Sequence, residues 1–138
     1  MSWRNKDTDL FKLWVKKHRI GPSMNDKYMS TRNKTPCPEL YTGRDGTVGD
    51  GWLGILDSLA TDLIKMGWDR DLHQVKEKFA GLRFYIGAST PQMDARIARA
   101  EEASYLVCEN CGVPGEKSIV GHWILTLCKP CHLLREED

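Results

Sequence analysis

Cys108, Cys111, Cys128 and Cys131 form two C-x2-C pairs, in "CENCG" and "CKPCH", with sixteen residues between the pairs. Two residues between ligands let a tight knuckle aim both sulfurs at one ion. Gly112, directly after the second cysteine, permits the positive φ that such a turn often needs. Two knuckles joined by a short hairpin complete a tetrahedral thiolate shell, the usual closed structural zinc site. The segments "KSIV" and "HWILTL" are suitable strands for that hairpin. The fourth ligand has two candidates, because His132 adjoins Cys131. Cys131 preserves symmetrical knuckles and is preferred; His132 is the alternative. Four protein ligands leave no open position for a reactive water, so one Zn2+ here would support folding rather than chemistry.

Other residues capable of chemistry do not assemble into a catalytic set. His122 and Trp123 lie between the knuckles, but a nuclease of the HNH kind needs an acidic-His pair and a later Asn or His on a longer insert. The sixteen-residue spacer holds one His and no Asp, and His122 reads as a turn residue. Asp57 and Asp62, five apart on one helix, point about 140° apart around its axis. Glu77 falls among apolar residues, where burial would raise its pKa or demand a basic partner such as Arg96 or Arg99; a paired structural role is expected. Cys37, between Pro36 and Pro38, reads as an unpaired thiol. No catalytic residue is assigned, and no enzyme activity is expected.

The elements that must position the cysteines are legible from periodicity. Thr8 can cap a helix from about Asp9 to Arg19, with Leu10, Phe11, Leu13, Trp14 and Val15 as its apolar stripe; Gly21 and Pro22 stop it. Residues 23–50 are polar and broken by Pro and Gly, as in a loop-rich connection. Asp50 can cap a second helix that carries Trp52, Ile55, Leu56, Leu59, Leu63 and Met66 on one face and ends at Gly67. The stretch "HQVKEKFAGLRFYIG" predicts a hairpin about an Ala80–Gly81 turn, opposing Phe79 with Leu82, Glu77 with Phe84 and Val75 with Ile86. Alternation then puts Val75, Phe79, Leu82, Phe84 and Ile86 on one face and Lys76, Lys78, Arg83 and Tyr85 on the other. Thr90 as cap and Pro91 at the first helical position begin a third helix, with Met93, Ile97 and Ala100 inward, running toward Cys108.

Composition bounds the rest. The chain has 138 residues, a single domain's worth, and five cysteines. No run approaches the roughly 18 apolar residues of a membrane helix, and the start lacks a signal-peptide stretch. The expectation is a soluble cytoplasmic protein, where cysteines favour metal over disulfides. The net charge of +1 conceals an asymmetry: residues 1–35 carry nine Lys/Arg against three Asp, and the remainder eleven against sixteen Asp/Glu. A basic arm on an acidic body can steer toward nucleic acid or an acidic protein. Lys12, Lys16, Lys17 and Arg19 of the arm, with Lys76, Lys78, Arg83 and Tyr85 of the hairpin, are the candidate partner or nucleic-acid surface. A solvated outer strand face is the bland alternative.

The motifs "GDGW" (Gly49–Trp52), "QVKEKFAGLRFY" (Gln74–Tyr85), "CENCGVPG" (Cys108–Gly115) and "HWILTLCKPCH" (His122–His132) occur in that order. Over residues 36–132 the chain resembles a set of small bacteriophage and prophage proteins. That resemblance implies a zinc-ribbon accessory protein and supplies no reaction. Relatives often end the second knuckle with a His, which keeps His132 open as a ligand. Residues 95–137 also resemble, more locally, the zinc finger of the DksA/TraR regulators of RNA polymerase, without their coiled-coil arm.

The expected architecture is α+β, with two or three helices on a small antiparallel sheet and a C-terminal four-cysteine zinc ribbon. It divides into a basic arm (1–35), a core (36–104) and the ribbon (105–138), integrated into one unit. The expected function is a phage-type protein-binding modulator or inhibitor of a host complex. Nucleic-acid regulation is the alternative, and a metal-dependent nuclease the remote one.

Overall fold

The computed structural model describes residues 9–21 and 48–137. Thr8, Cys37, most of the basic arm and the side chain of Lys12 lie outside them. In chain order the described elements are α1 (Asp9–Lys17), a 3-10 turn (Asp50–Trp52), α2 (Leu53–Lys65), β1 (Leu72–Lys78), β2 (Gly81–Ile86), α3 (Pro91–Ser104), β3 (Glu116–Val120), β4 (Trp123–Leu127) and α4 (Lys129–Glu137). The architecture is α+β: β1 pairs with β2 and β3 with β4, in two separate antiparallel sheets. Helix α4 was not foreseen. Pro130 near its start is the signal that marks it, a proline being well tolerated in a first helical turn.

Helix α2 and the 3-10 turn before it line the centre of the core. Trp52, Leu56, Leu59 and Leu63 are fully buried along their inner face, whereas Met66 at the end of α2 is exposed. Gly67, at φ 101°, terminates it as expected. Asp50 does not cap it: the entry is the 3-10 turn, which has no side-chain cap. Thr90 does cap α3, accepting the Met93 N–H at 3.2 Å, and Met93, Ile97 and Ala100 face inward.

Helix α1 packs through Trp14 and Val15, with Leu10 and Leu13 left exposed. Its left-handed terminating residue is Arg19 (φ 55°), not Gly21. Gly21 instead forms a parallel bridge with Asp71. A polar clasp ties α1 to α2, with His18 Nε2 2.7 Å from Asp57 Oδ1 and Lys17 Nζ donating to the same oxygen at 3.0 Å.

The β1–β2 hairpin forms, but its turn lies one residue earlier than predicted. Phe79 and Ala80, at φ 52° and 75°, are the two turn residues, which is the signature of a type I′ hairpin. The register is therefore Val75↔Phe84, Lys76↔Arg83, Glu77↔Leu82 and Lys78↔Gly81. Phe79 is correspondingly exposed rather than part of the apolar face. Glu77 does lie on that face, and its carboxylate accepts the Ala80 N–H at 2.8 Å and braces the turn. Arg96 Nε donates to Asp62 at 2.7 Å and joins α3 to α2. The β2 edge is closed by α3, whose Ser104 and Glu101 side chains accept the Leu82 and Phe84 N–H groups. Among the described residues no helix is long and apolar enough to cross a membrane.

Candidate metal centre

The ligand atoms of Cys108, Cys111, Cys128 and Cys131 all lie within 4.8 Å of one another. His132 is not among the converging groups; its backbone N–H donates to the Cys128 carbonyl at 2.9 Å. The first knuckle is built as its sequence implies. Cys108 N–H bonds to Val113 O, Gly112 N–H returns to Cys108 O, and Gly112 sits at φ 90°. The second knuckle is different in kind. Cys128 immediately precedes α4 and Cys131 lies in that helix's first turn, so the two pairs are not symmetrical. On metal binding, the positive end of the helix dipole would favour the thiolate form of Cys131.

In the metal-free thiol set the groups are unequal. Burial pushes Cys108 up, but hydrogen bonds from the backbone of Cys128, Cys111 and Asn110 outweigh it and bring it down to about 7. Burial pushes Cys131 up to about 12, against the Asn110 side chain that donates to its sulfur at 3.3 Å. Cys111 and Cys128 sulfurs lie 3.6 Å apart, closer than two adjacent anions tolerate without a cation. The donor set fits a divalent, thiophilic ion in tetrahedral coordination. Zn2+ bound here would be held by the four sulfurs and would cross-link the first knuckle to the start of α4, with no coordination site left for substrate.

The centre is anchored to the rest of the molecule by residues that sequence reasoning passed over. Glu109, the second residue of "CENCG", is fully buried. Its carboxylate accepts the Gly49 N–H, its carbonyl accepts the Gly51 N–H, both at 2.8 Å, and its own N–H donates to Thr126 O. Trp52 Nε1–H donates to Val107 O at 2.8 Å, immediately before Cys108. Thr126 in β4 donates its hydroxyl to Ala80 O in the β1–β2 turn. The "GDGW" segment thus lies flat on the first knuckle. A Cβ on Gly51 would strike the carbonyl oxygens of Cys108 and Glu109 and the Gly112 amide, so only glycine allows this approach. The signal for it was present as "GDGW", but its partner lies more than 50 residues away in sequence.

Of the proposed surface residues, Lys76, Lys78, Arg83 and Tyr85 do share the outer face of the β1–β2 hairpin. Lys16, Lys17 and Arg19 do not join them. Trp14 meets Phe84 edge-on at 6.4 Å, which places α1 on the inner side of the sheet, and Lys17 is bound to Asp57. His122 lies in the β3–β4 turn, as expected.

The fold and the centre define a small α+β protein with a C-terminal four-cysteine site of the zinc-ribbon form. No family model, curated protein or solved structure matches the chain.

Proposed function

We propose that the chain is a zinc-stapled accessory protein of the phage type its motifs resemble, acting by binding a host protein complex rather than by catalysis. The observation that carries this reading is the far end of the ribbon hairpin. Strand β4 is apolar except for Thr126, yet Leu125 and Leu127 are buried beside the cysteines while Trp123 is 64% exposed. Its pairing with Val120 adjoins the Ile119↔Ile124 pair, and Ile119 is 61% exposed. Strand alternation puts Trp123 and Val120 on one face of this tip and Ile119 with Ile124 on the other, so apolar side chains are presented on both sides of the hairpin end, the composition of an interface anchor rather than of a solvated turn. Closure of the metal shell by four sulfurs agrees with a scaffold role for the ion. The lodging of "GDGW" on "CENCG" gives two of the resembled motifs a physical reason to occur together.

The test is affinity capture from bacterial lysate with the zinc-loaded protein and with Trp123→Ala/Ile119→Ser. A stoichiometric host protein retained by the first and lost by the second is expected. Retention of none, or equal retention by both, refutes the reading.

A further inference from the structure

The outer face of the β1–β2 hairpin has a composition that the protein-binding ribbon tip does not explain. The observed register brings Lys76 opposite Arg83 and Lys78 opposite Gly81, with Tyr85 next along β2. Lys76 Nζ lies 5.9 Å from the centre of the Tyr85 ring, and Lys78 Nζ 5.7 Å from that of Phe79, both within cation–π range. A third ring reaches the same face from the end of α3. Tyr105 occupies the space where a Gly81 Cβ would be, and its hydroxyl lies 3.4 Å from Arg83 Nη1. Gly81 therefore leaves room for the Tyr105 ring and is not one of the two turn residues.

Three rings thus alternate with three cations. Phe79, Tyr85 and Tyr105 are all exposed. Among the described residues Lys76, Lys78 and Arg83 form no ion pair, whereas Arg96 and Lys17 elsewhere each hold an aspartate. The carboxylate nearest in effect, Glu101, is engaged by the Phe84 N–H. A solvated strand face has no need of exposed rings between cations that hold no ion pair. A polyanion with accessible aromatic faces satisfies both, the phosphates meeting the cations and the bases stacking on the rings. In a duplex the base faces are already stacked on one another, so the rings select an unpaired strand.

We infer that the outer face of the β1–β2 hairpin binds single-stranded nucleic acid, stacking bases on Phe79, Tyr85 and Tyr105 and pairing phosphates with Lys76, Lys78 and Arg83. This goes beyond the protein-binding role and uses a different surface, so either can fail alone.

Fluorescence anisotropy tests it on the full zinc-loaded chain, with labelled oligo-dT, oligo-rU and a duplex of equal length, from about 50 to 200 mM salt. Either single strand should bind more tightly than the duplex, and the tighter of the two identifies the preferred sugar. Tyr85→Ala and Phe79→Ala should each weaken binding about tenfold, and Tyr85→Phe should retain it. Lys76→Gln/Lys78→Gln should make the slope of log K against log salt shallower by about 1.4, from about 0.7 per phosphate contact. Zinc content and circular dichroism show that the variants fold. Ring variants that bind as wild type, or a duplex bound as tightly as the single strands, would overturn the inference. So would a nuclease-treated lysate protein captured by wild type and lost with Tyr85→Ala, which would assign the face to a protein.

Discussion

Gly51 and Gly54 sit three residues apart, and substitution by alanine should have opposite effects at the two. A Cβ at Gly51 would lie 2.5 Å from the Gly112 amide and 2.7 Å from the Glu109 carbonyl, and closer still to Cys108 O. All three are backbone atoms of the first knuckle, which ligation at Cys108 and Cys111 would hold in place, so the "GDGW" segment must withdraw. Withdrawal breaks the Gly51 N–H bond to Glu109 O and the Gly49 N–H bond to the Glu109 carboxylate. A neutral bond contributes about 1 kcal/mol and one to a charged group about 2 kcal/mol, so Gly51→Ala should destabilise by about 3 kcal/mol. For a chain of this size that corresponds to a melting temperature lower by about 10 °C. At Gly54 a Cβ meets nothing within 4 Å, and the position is helical. Gly54→Ala should therefore stabilise by about 0.5–1 kcal/mol through helix propensity. Thermal and urea unfolding monitored by circular dichroism, with zinc present, gives both values. A Gly51→Ala protein that melts within about 2 °C of wild type would refute the docking of "GDGW" on the knuckle as a source of stability.

The hairpin turn makes a second prediction. Phe79→Asn/Ala80→Gly supplies the residues a type I′ turn prefers and should stabilise by about 1 kcal/mol; loss of stability in the same melts would argue for the Ala80–Gly81 turn instead. A third concerns pH. Asp57 is held below the ordinary carboxylate value of 3.8, first by the hydrogen bond from His18 and then by that from Lys17. A depressed folded value means the clasp is intact at neutral pH and is lost only as pH falls below 3.8. Screening at this partly exposed pair limits its contribution to about 0.5 kcal/mol, which Asp57→Asn should remove at pH 7. Wild type and variant should keep that difference unchanged on moderate acidification, by urea titration at several pH values. A difference already lost well above pH 3.8 would refute the depressed Asp57 value.

What could be read from the sequence was local in every case. The convergence of the four cysteines, the inner face of α2 as far as Leu63 and the Thr90–Pro91 start of α3 are fixed by spacings of two to four residues and appear in the structure as anticipated, whereas Met66 at the end of α2 is exposed. The hairpin lies where the sequence predicts it, but in place of the Ala80–Gly81 pair that a glycine suggests, its turn residues are Phe79 and Ala80, both at positive φ. The Glu77 carboxylate on the Ala80 N–H and the Thr126 hydroxyl on Ala80 O hold that strained pair in place. Neither Gly81 nor Gly51 owes its identity to its own φ. Each makes room for a distant group, Tyr105 in one case and the Cys108–Gly112 backbone in the other, and no local pattern contains that information. Glu109 was overlooked for the same reason. Between two cysteines it resembles a solvated knuckle residue, yet it carries the bonds that join the centre to the core.

The central claim is that a single ion held by Cys108, Cys111, Cys128 and Cys131 completes the fold, and elemental analysis of the purified, folded protein tests it most directly. One zinc per chain is predicted, since the four converging sulfurs make one closed site. A protein that is fully folded and cooperatively melting with no bound metal would contradict it.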